Sequence, residues 1–189
     1  MVTAKERSLG LLLLRRRQGD EFSPVDLVEY YIRMAELVVK PLYIYNFPEL
    51  TGVKVGLETI EEIYKQVPVA GIKASGGDIG YLIALIAWAK DKNFLVYAGN
   101  DILLPECIKL GAAGGIGGLV NVIPEIFAQV LEGKDHGPIL KQLGRLISKI
   151  PFPVNIAAFM EARGLPIGVH KMPLSAKVPY PQENAINQS

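Results

Sequence analysis

Two residues in this chain are of types that do covalent and proton-transfer chemistry, and they occupy comparable places in their segments. Lys73 ends the apolar run Val69-Ala70-Gly71-Ile72 and precedes Ala74-Ser75-Gly76-Gly77. An apolar surround disfavours the ammonium form, lowers the lysine pKa and frees an amine that can form an imine with a carbonyl. Tyr45 stands near the end of Leu42-Tyr43-Ile44-Tyr45-Asn46. A phenol there can carry a proton to or from a substrate hydroxyl. Either residue alone also reads as ordinary structure: a lysine snorkelling out of a strand end, or a core aromatic with a satisfied hydroxyl. Placed at the ends of neighbouring strands, about 4.8 Å apart, the two could share one site.

Other reactive types do not group in this way. The glycines from Gly111 to Gly118 lie within a predicted strand, and neither a dinucleotide fingerprint nor a Walker lysine accompanies them. They read as a place where the strand bends closely around a ligand or a neighbouring backbone. His136 and His170 are isolated from each other and from carboxylates, so no metal-ligand spacing is present. Trp88 reads as part of a helix face packed on a sheet.

The elements that must position Lys73 and Tyr45 follow from the apolar periodicity. Ser23-Pro24 opens a helix, with Ser23 as N-cap and Asp26 in the first turn. Leu27, Val28, Tyr31, Ile32, Ala35 and Val38 recur on one face, and Pro41 stops it. A strand over 42–46 follows, then a helix over 57–66, a strand over 69–73 and a helix capped by Asp78 that runs to Lys90. Next come a strand over 94–98, a helix capped by Asp101 that runs to Leu110, and a glycine-rich strand over 114–120. Pro124 opens a further helix that Gly133 closes. Strands recur about every 20–27 residues, the rhythm of βαβ units in a parallel sheet covered by helices.

The strands are apolar almost throughout, as parallel strands buried on both faces are. No charged edge strand is visible, which favours a closed (β/α) barrel over an open sheet. Lys73 and Tyr45 would then lie at the C-terminal mouth of the barrel, where such folds carry their sites. After Gly133 the pattern changes to helices over 138–150 and 153–163, with Gly164 as cap, and a proline-rich irregular tail. The expected division is therefore a disrupted segment 1–21, a partial barrel 22–133, and a helical appendix with its tail, 134–189.

Composition removes several function classes. The chain has 189 residues, 20 Lys+Arg against 19 Asp+Glu, and is 50% hydrophobic. It is too apolar to be disordered and lacks the basic excess of a nucleic-acid binder. No apolar run approaches the ~20 residues of a membrane span. Cys107 is the single cysteine, which precludes an intrachain disulfide and fits a reducing, cytoplasmic setting. Residues 1–19 place arginines after a short apolar run, the reverse of a signal peptide, and fit a transit peptide only loosely.

With the motifs in hand, a resemblance is specific. Tyr45-Asn46-Phe47-Pro48-Glu49-Leu50-Thr51-Gly52, Gly71-Ile72-Lys73, Ser75-Gly76-Gly77-Asp78, Tyr97-Ala98-Gly99-Asn100-Asp101 and Gly114-Gly115-Ile116-Gly117-Gly118 resemble the dihydrodipicolinate synthase / N-acetylneuraminate lyase family, over roughly Phe22 to Ser175. The resemblance implies a class I aldolase-type lyase on an eight-stranded (β/α) TIM barrel. Lys73 takes the place of the lysine that forms a Schiff base with a 2-oxo acid, usually pyruvate, and Tyr45 that of the tyrosine relaying the proton. Ile116, Gly99, Asp101 and Leu50 fall at substrate-binding positions. The resemblance implies no metal or organic cofactor, a small 2-oxo acid as partner, and a homo-oligomer.

Three departures bear on substrate and completeness. Leu50 stands where dihydrodipicolinate synthases commonly carry an arginine for the aldehyde's carboxylate. Ile102 and Gly118 stand where sialic acid lyases usually carry an acid and a hydroxyl. Aldolases of 2-keto-3-deoxy sugar acids or of 4-hydroxy-2-oxoglutarate remain compatible. The family's Gly-Thr-Thr-Gly-Glu type motif and the aromatic pair after its fourth strand are absent, and one relic of the earlier strands is visible at Leu11–Leu14. Arg15-Arg16-Arg17-Gln18-Gly19-Asp20 stands in their place. The chain thus reads as N-terminally truncated, with a catalytically inactive remnant or a subunit that completes its barrel through a partner as alternatives to the active lyase.

Overall fold

The computed structural model describes residues 10–12 and 22–167. The elements are β1 (Gly10–Leu12), α1 (Pro24–Leu37), β2 (Leu42–Asn46), α2 (Pro48–Thr51), α3 (Leu57–Gln66), β3 (Val69–Ala74), α4 (Ile79–Ala89), β4 (Leu95–Ala98), α5 (Leu104–Leu110), β5 (Gly114–Gly115), a 3-10 turn (Leu119–Asn121), α6 (Pro124–Leu131), α7 (Gly137–Ile147) and α8 (Val154–Ala162). His170, Arg15–Arg17 and the tail beyond residue 167 lie outside the described residues.

All five strands are parallel, in the order β1-β2-β3-β4-β5. The run read as a strand relic is indeed a strand: Gly10, Leu11 and Leu12 pair with Leu42, Tyr43 and Ile44. The sheet is open among the described residues, with β1 and β5 at its edges, as expected of a chain that holds only part of a (β/α) barrel. Five strands are too few for the tilt and stagger that close a barrel filled by side chains, which takes about eight.

Register separates two faces. The rung Ile44–Ile72–Val96 is buried throughout, with at most 3% exposure. The next rung on that face, Asn46–Ala74–Ala98–Gly115, faces the helices. Asn46 bonds to Tyr81 on α4, and a Cβ at Gly115 would lie 2.8 Å from Leu104 of α5. Buried Ile60 and Ile63 on α3, and Leu82, Leu85 and Ile86 on α4, complete this layer. Trp88, Tyr64 and Phe94 close its lower end in edge-to-face pairs, Trp88 and Phe94 with centroids 5.1 Å apart. The opposite face is only partly covered: Leu95 is 41% exposed, contrary to the reading of strands buried on both sides.

Local signals set most boundaries. Ser23 and Asp26 form a reciprocal capping box, with the Ser23 N–H donating to Asp26 Oδ2 at 2.8 Å. The Ser23 hydroxyl and amide hold the Asp26 carboxyl below its ordinary value. Asp78 caps α4 by accepting from the Tyr81 N–H at 2.9 Å. Asp101 does not cap α5, which starts at Leu104 without a side-chain cap and with Pro105 in its first turn. Asn100 organises that loop instead: its Oδ1 accepts from the Ile102 N–H, and its Nδ2 donates to the Gly76 carbonyl. The expected strand over 114–120 shrinks to Gly114–Gly115, after which the chain turns into the 3-10 segment. A glycine run has neither the side-chain packing nor the low backbone entropy cost that extends a strand.

The chain divides into two compact units, the first ending at Ile116 and the second beginning at Gly117. This groups α6 with α7 and α8, whereas the change of sequence pattern falls at Gly133. Within the second unit, Arg163 donates to the Val122 carbonyl and pairs with Glu125 at 2.9 Å; the Glu125 backbone N–H first, and Arg163 second, hold that carboxyl below its usual range. Gly133 and Gly164 end their helices at φ values of 86° and 75°, where glycine carries no Cβ penalty.

Buried Cys107 on α5 has its thiol pushed from 9.0 to about 11, by burial first and by Glu106 second. A folded value above the unfolded one favours the folded state below pH 9, and that contribution is lost as pH rises towards 11. In the folded chain near neutral pH, Cys107 should react with iodoacetamide at least about tenfold more slowly than in denaturant. Peptide mapping of the alkylated cysteine measures this.

Candidate active site

The register of β2, β3 and β4 places Tyr45, Lys73 and Tyr97 side by side on one rung, continued by Gly114 of β5. All three side chains project from the partly covered face and are half-buried. Lys73 Nζ donates to Tyr45 Oη at 3.1 Å and lies 4.2 Å from the centre of the same ring. The amine thus rests over the tyrosine face beside its hydroxyl. Phe47 flanks Tyr45 on the far side, with ring centroids 6.1 Å apart. An amine thus lies within hydrogen-bond reach of a phenol hydroxyl, an arrangement that covalent chemistry on a carbonyl can use.

The loops beyond the strand ends hold this pair in place from the other face. Asn46, next to Tyr45 and 3% exposed, donates to the Val55 carbonyl and to Tyr81 Oη and accepts from the Val55 N–H. Tyr81 also donates to the Val55 carbonyl at 2.9 Å, and burial pushes its hydroxyl up to about 12. Thr51 closes the α2 turn through bonds to Phe47 and Val53. Glu49 receives the Gly77 N–H at 3.4 Å, and Lys54 pairs with Asp78 at 3.3 Å. Gly99 stands where a Cβ would overlap Ser75 Oγ and lie 2.8 Å from Ser75 Cα, so no other residue lets these two loops approach.

The other residues singled out in the sequence take different places. Gly99 donates to the Ala74 carbonyl and Ile116 to the Ala98 carbonyl, so both extend the strand ends next to Lys73. Asp101 is half-buried in the loop that Asn100 organises. Leu50 lies on α2, 58% exposed, and carries no charge toward the Lys73 side. A cleft of about 620 Å³ is lined by Phe22, Val25, Val28, Lys54, Glu58 and Glu62 among others, and by neither Tyr45 nor Lys73. The chemistry-bearing pair stands on the open sheet face and outside that cleft. Sequence reading did not single out Tyr97, Tyr43 or Asn46. Strand alternation marks the first two, because Tyr43, Tyr45, Lys73 and Tyr97 share the parity of one face.

Comparisons with known proteins identify the family and the fold. The model of the dihydrodipicolinate synthetase family matches residues 20–183. A 4-hydroxy-tetrahydrodipicolinate synthase of Methanosarcina barkeri is 28% identical over 166 residues, covering 81% of this chain and 56% of that protein. A DapA-like lyase of Halobacterium salinarum is 30% identical over 156 residues, covering 78% and 51%. Among solved structures, the dihydrodipicolinate synthase of Acinetobacter baumannii in complex with pyruvate has a TM-score of 0.72 at 26% identity, covering 94% of this chain and 64% of that one. A 2-keto-3-deoxygluconate aldolase variant of Sulfolobus solfataricus has a TM-score of 0.67 at 22% identity, covering 81% and 54%, a likeness of fold. The parallel β/α architecture is thus of the TIM-barrel type, with part of the barrel present. The chain belongs to the dihydrodipicolinate synthetase family. It spans about half the length of the curated relatives it matches.

Replacing Asn46 by Ala leaves the buried Val55 amide without its side-chain acceptor and the Val55 carbonyl with Tyr81 Oη as its remaining side-chain donor. The expected loss is about 1–3 kcal/mol of stability. Urea denaturation of Asn46→Ala against the unaltered chain measures it, and an unchanged midpoint would show that these bonds contribute nothing net.

Proposed function

We propose that this chain carries the reacting centre of an aldolase-type lyase that acts on 2-oxo acids through a Schiff base on Lys73. The observation that carries the reading is the 3.1 Å contact between Lys73 Nζ and Tyr45 Oη at neighbouring strand ends. In the reaction, the neutral amine attacks the C2 carbonyl carbon. Tyr45 gives up its proton as the oxygen leaves as water, and a protonated imine and a phenolate remain. When the C3–C4 bond breaks, its electron pair forms the C2–C3 double bond of an enamine, and the imine nitrogen takes up the π pair and becomes neutral. The proton of the C4 hydroxyl passes to Tyr45, and an aldehyde departs. Protonation at C3 and hydrolysis then release the 2-oxo acid and return the amine. The reverse sequence makes the bond.

Pyruvate is the 2-oxo acid this reading favours, since it is the ligand in the Acinetobacter baumannii relative. For the second component, a 2-keto-3-deoxy sugar acid or 4-hydroxy-2-oxoglutarate fits better than an aldehyde bearing a carboxylate, because Leu50 offers that carboxylate no cation. A second reading, that another polypeptide must cover the sheet before turnover occurs, is favoured by the 41% exposure of Leu95 on the face that carries Lys73.

Pyruvate with borohydride should attach one reduced pyruvyl group to the chain, at Lys73 by peptide mapping. Lys73→Ala should take up none, and labelling spread over surface lysines would sink the reading. Tyr45→Phe should still label, at a rate lowered by roughly 10²-fold or more if the phenol carries the proton. Labelling without turnover of any 2-oxo acid would support the second reading over the first.

In a chain that turns over, aspartate semialdehyde should be the poorer acceptor against sugar-derived aldehydes, because an unpaired carboxylate in a site is costly. Paired kcat/KM measurements decide this. Efficient condensation with the semialdehyde would mean that a cation other than residue 50 holds its carboxylate.

A further inference from the structure

One feature of the Lys73 face has no part in the reaction as written. Tyr43 of β2 and Tyr97 of β4 lie on either side of β3, and their rings meet with centroids 6.0 Å apart. They meet over Gly71, which pairs with Tyr43 and precedes Lys73 by one position on the same face. Gly71 makes this possible: a Cβ there would come within 2.8 Å of Tyr43 Cε1 and would overlap the Leu95 carbonyl oxygen. On the far side of Tyr97, Gly114 is again without a side chain, and a Cβ there would lie 3.4 Å from the Tyr97 ring. Two glycines thus leave room on this face for two rings, directly below the lysine in the direction of the strand N-termini.

We infer that Tyr97, braced by Tyr43, is a positioning residue for Lys73: the two rings fill the space beneath the lysine stem, so that the amine extends towards the Tyr45 hydroxyl. The inference rests on the reading of Lys73 as the imine-forming residue and adds a determinant to it. Without the rings, Gly71 and Gly114 would leave the flexible four-carbon stem a free path away from Tyr45. The two rings meet tilted at 56° to one another. Burial first, and the neighbouring Tyr97 second, push the Tyr43 hydroxyl up from the ordinary phenol range. Tyr43 is therefore uncharged near neutral pH and offers the ammonium form no anion from below. Tyr97 touches neither substrate nor reacting atoms in this scheme and acts through the lysine alone.

Two readouts on the full chain test this. The first is the rate of pyruvyl trapping at Lys73 with borohydride. The second is competitive acetylation of Lys73 against exposed Lys65 and Lys134, followed by mass spectrometry as a function of pH, which does not involve pyruvate. Tyr97→Ala should slow trapping at least about tenfold, since small misplacements of a reacting group are costly in rate. It should also shift the acetylation profile of Lys73 to that of the exposed lysines. Tyr97→Phe keeps the ring and should return both to within about twofold of the unaltered chain. If Tyr97→Ala loses its far-UV circular dichroism, Tyr97→Leu replaces it, with the same direction expected in both readouts. Trapping and acetylation unchanged in the ring-deleted variant would overturn the inference, and so would a Tyr97→Phe chain that behaves like the Ala variant. An unaltered chain that pyruvate does not label refutes the Schiff-base reading separately, and the acetylation profiles still judge the role of Tyr97.

Discussion

Side-chain alternation along parallel strands held in register governs everything at this site. Because Tyr45 pairs with Lys73 and Lys73 with Tyr97, three reactive or aromatic side chains are delivered to one face at one level. The residues between them, Ile44, Ile72 and Val96, go to the other face and into the apolar layer under the helices. A slip of one residue in β3 would send Lys73 into that layer and Ile72 to the site. Burial of Ile72 and the clash-limited fit of Gly71 both oppose such a slip, so the apolar packing and the placement of the amine are the same constraint.

Glycines do for the approach of elements what register does for direction. Gly99 admits Ser75 where any side chain would collide with it, and Gly71 admits the Tyr43 ring and the Leu95 carbonyl. Both positions have ordinary backbone conformations, so the demand there is for space. At Gly76, by contrast, a φ of 136° and a Glu49 carboxylate oxygen 2.8 Å from a would-be Cβ combine. The loop after β3 is thereby free to turn and to lay its next amide against Glu49.

Much of this was legible before the structure. The strand positions over 42–46 and 69–73 and the caps at Ser23 and Asp78 follow from periodicity and residue type, because each depends on neighbours close in sequence, and the meeting of Tyr45 with Lys73 follows from their equivalent places on successive strands of one βα rhythm. The misreadings have the opposite character. Asp101 is the better cap by type, yet Asn100 organises the turn because its amide can donate to Gly76 while its oxygen accepts from Ile102. That choice depends on a carbonyl from a different loop, which no local pattern contains. The glycine run after Gly114 matched a strand by position, but backbone entropy limits it to two residues. Tyr97 escaped notice because its significance lies in what faces it across β3.

Asn46 gives the site a property best stated as a gradient of motion. One side chain ties the end of β2 to the Val53–Val55 stretch and, through Tyr81, to α4. The residue that follows Tyr45 is therefore fastened to Val55 and to Tyr81 of α4, while Leu50 and Gly52, a few positions on, sit at the surface. Local opening that frays α2 stops at this knot before it reaches Tyr45. The amide of Val55 belongs among the slowest to exchange with solvent in the β2–α3 connection, and the surface turn before it among the fastest. The fold thus ties down the end of β2 that carries Tyr45 and leaves the α2 turn beyond it at the surface.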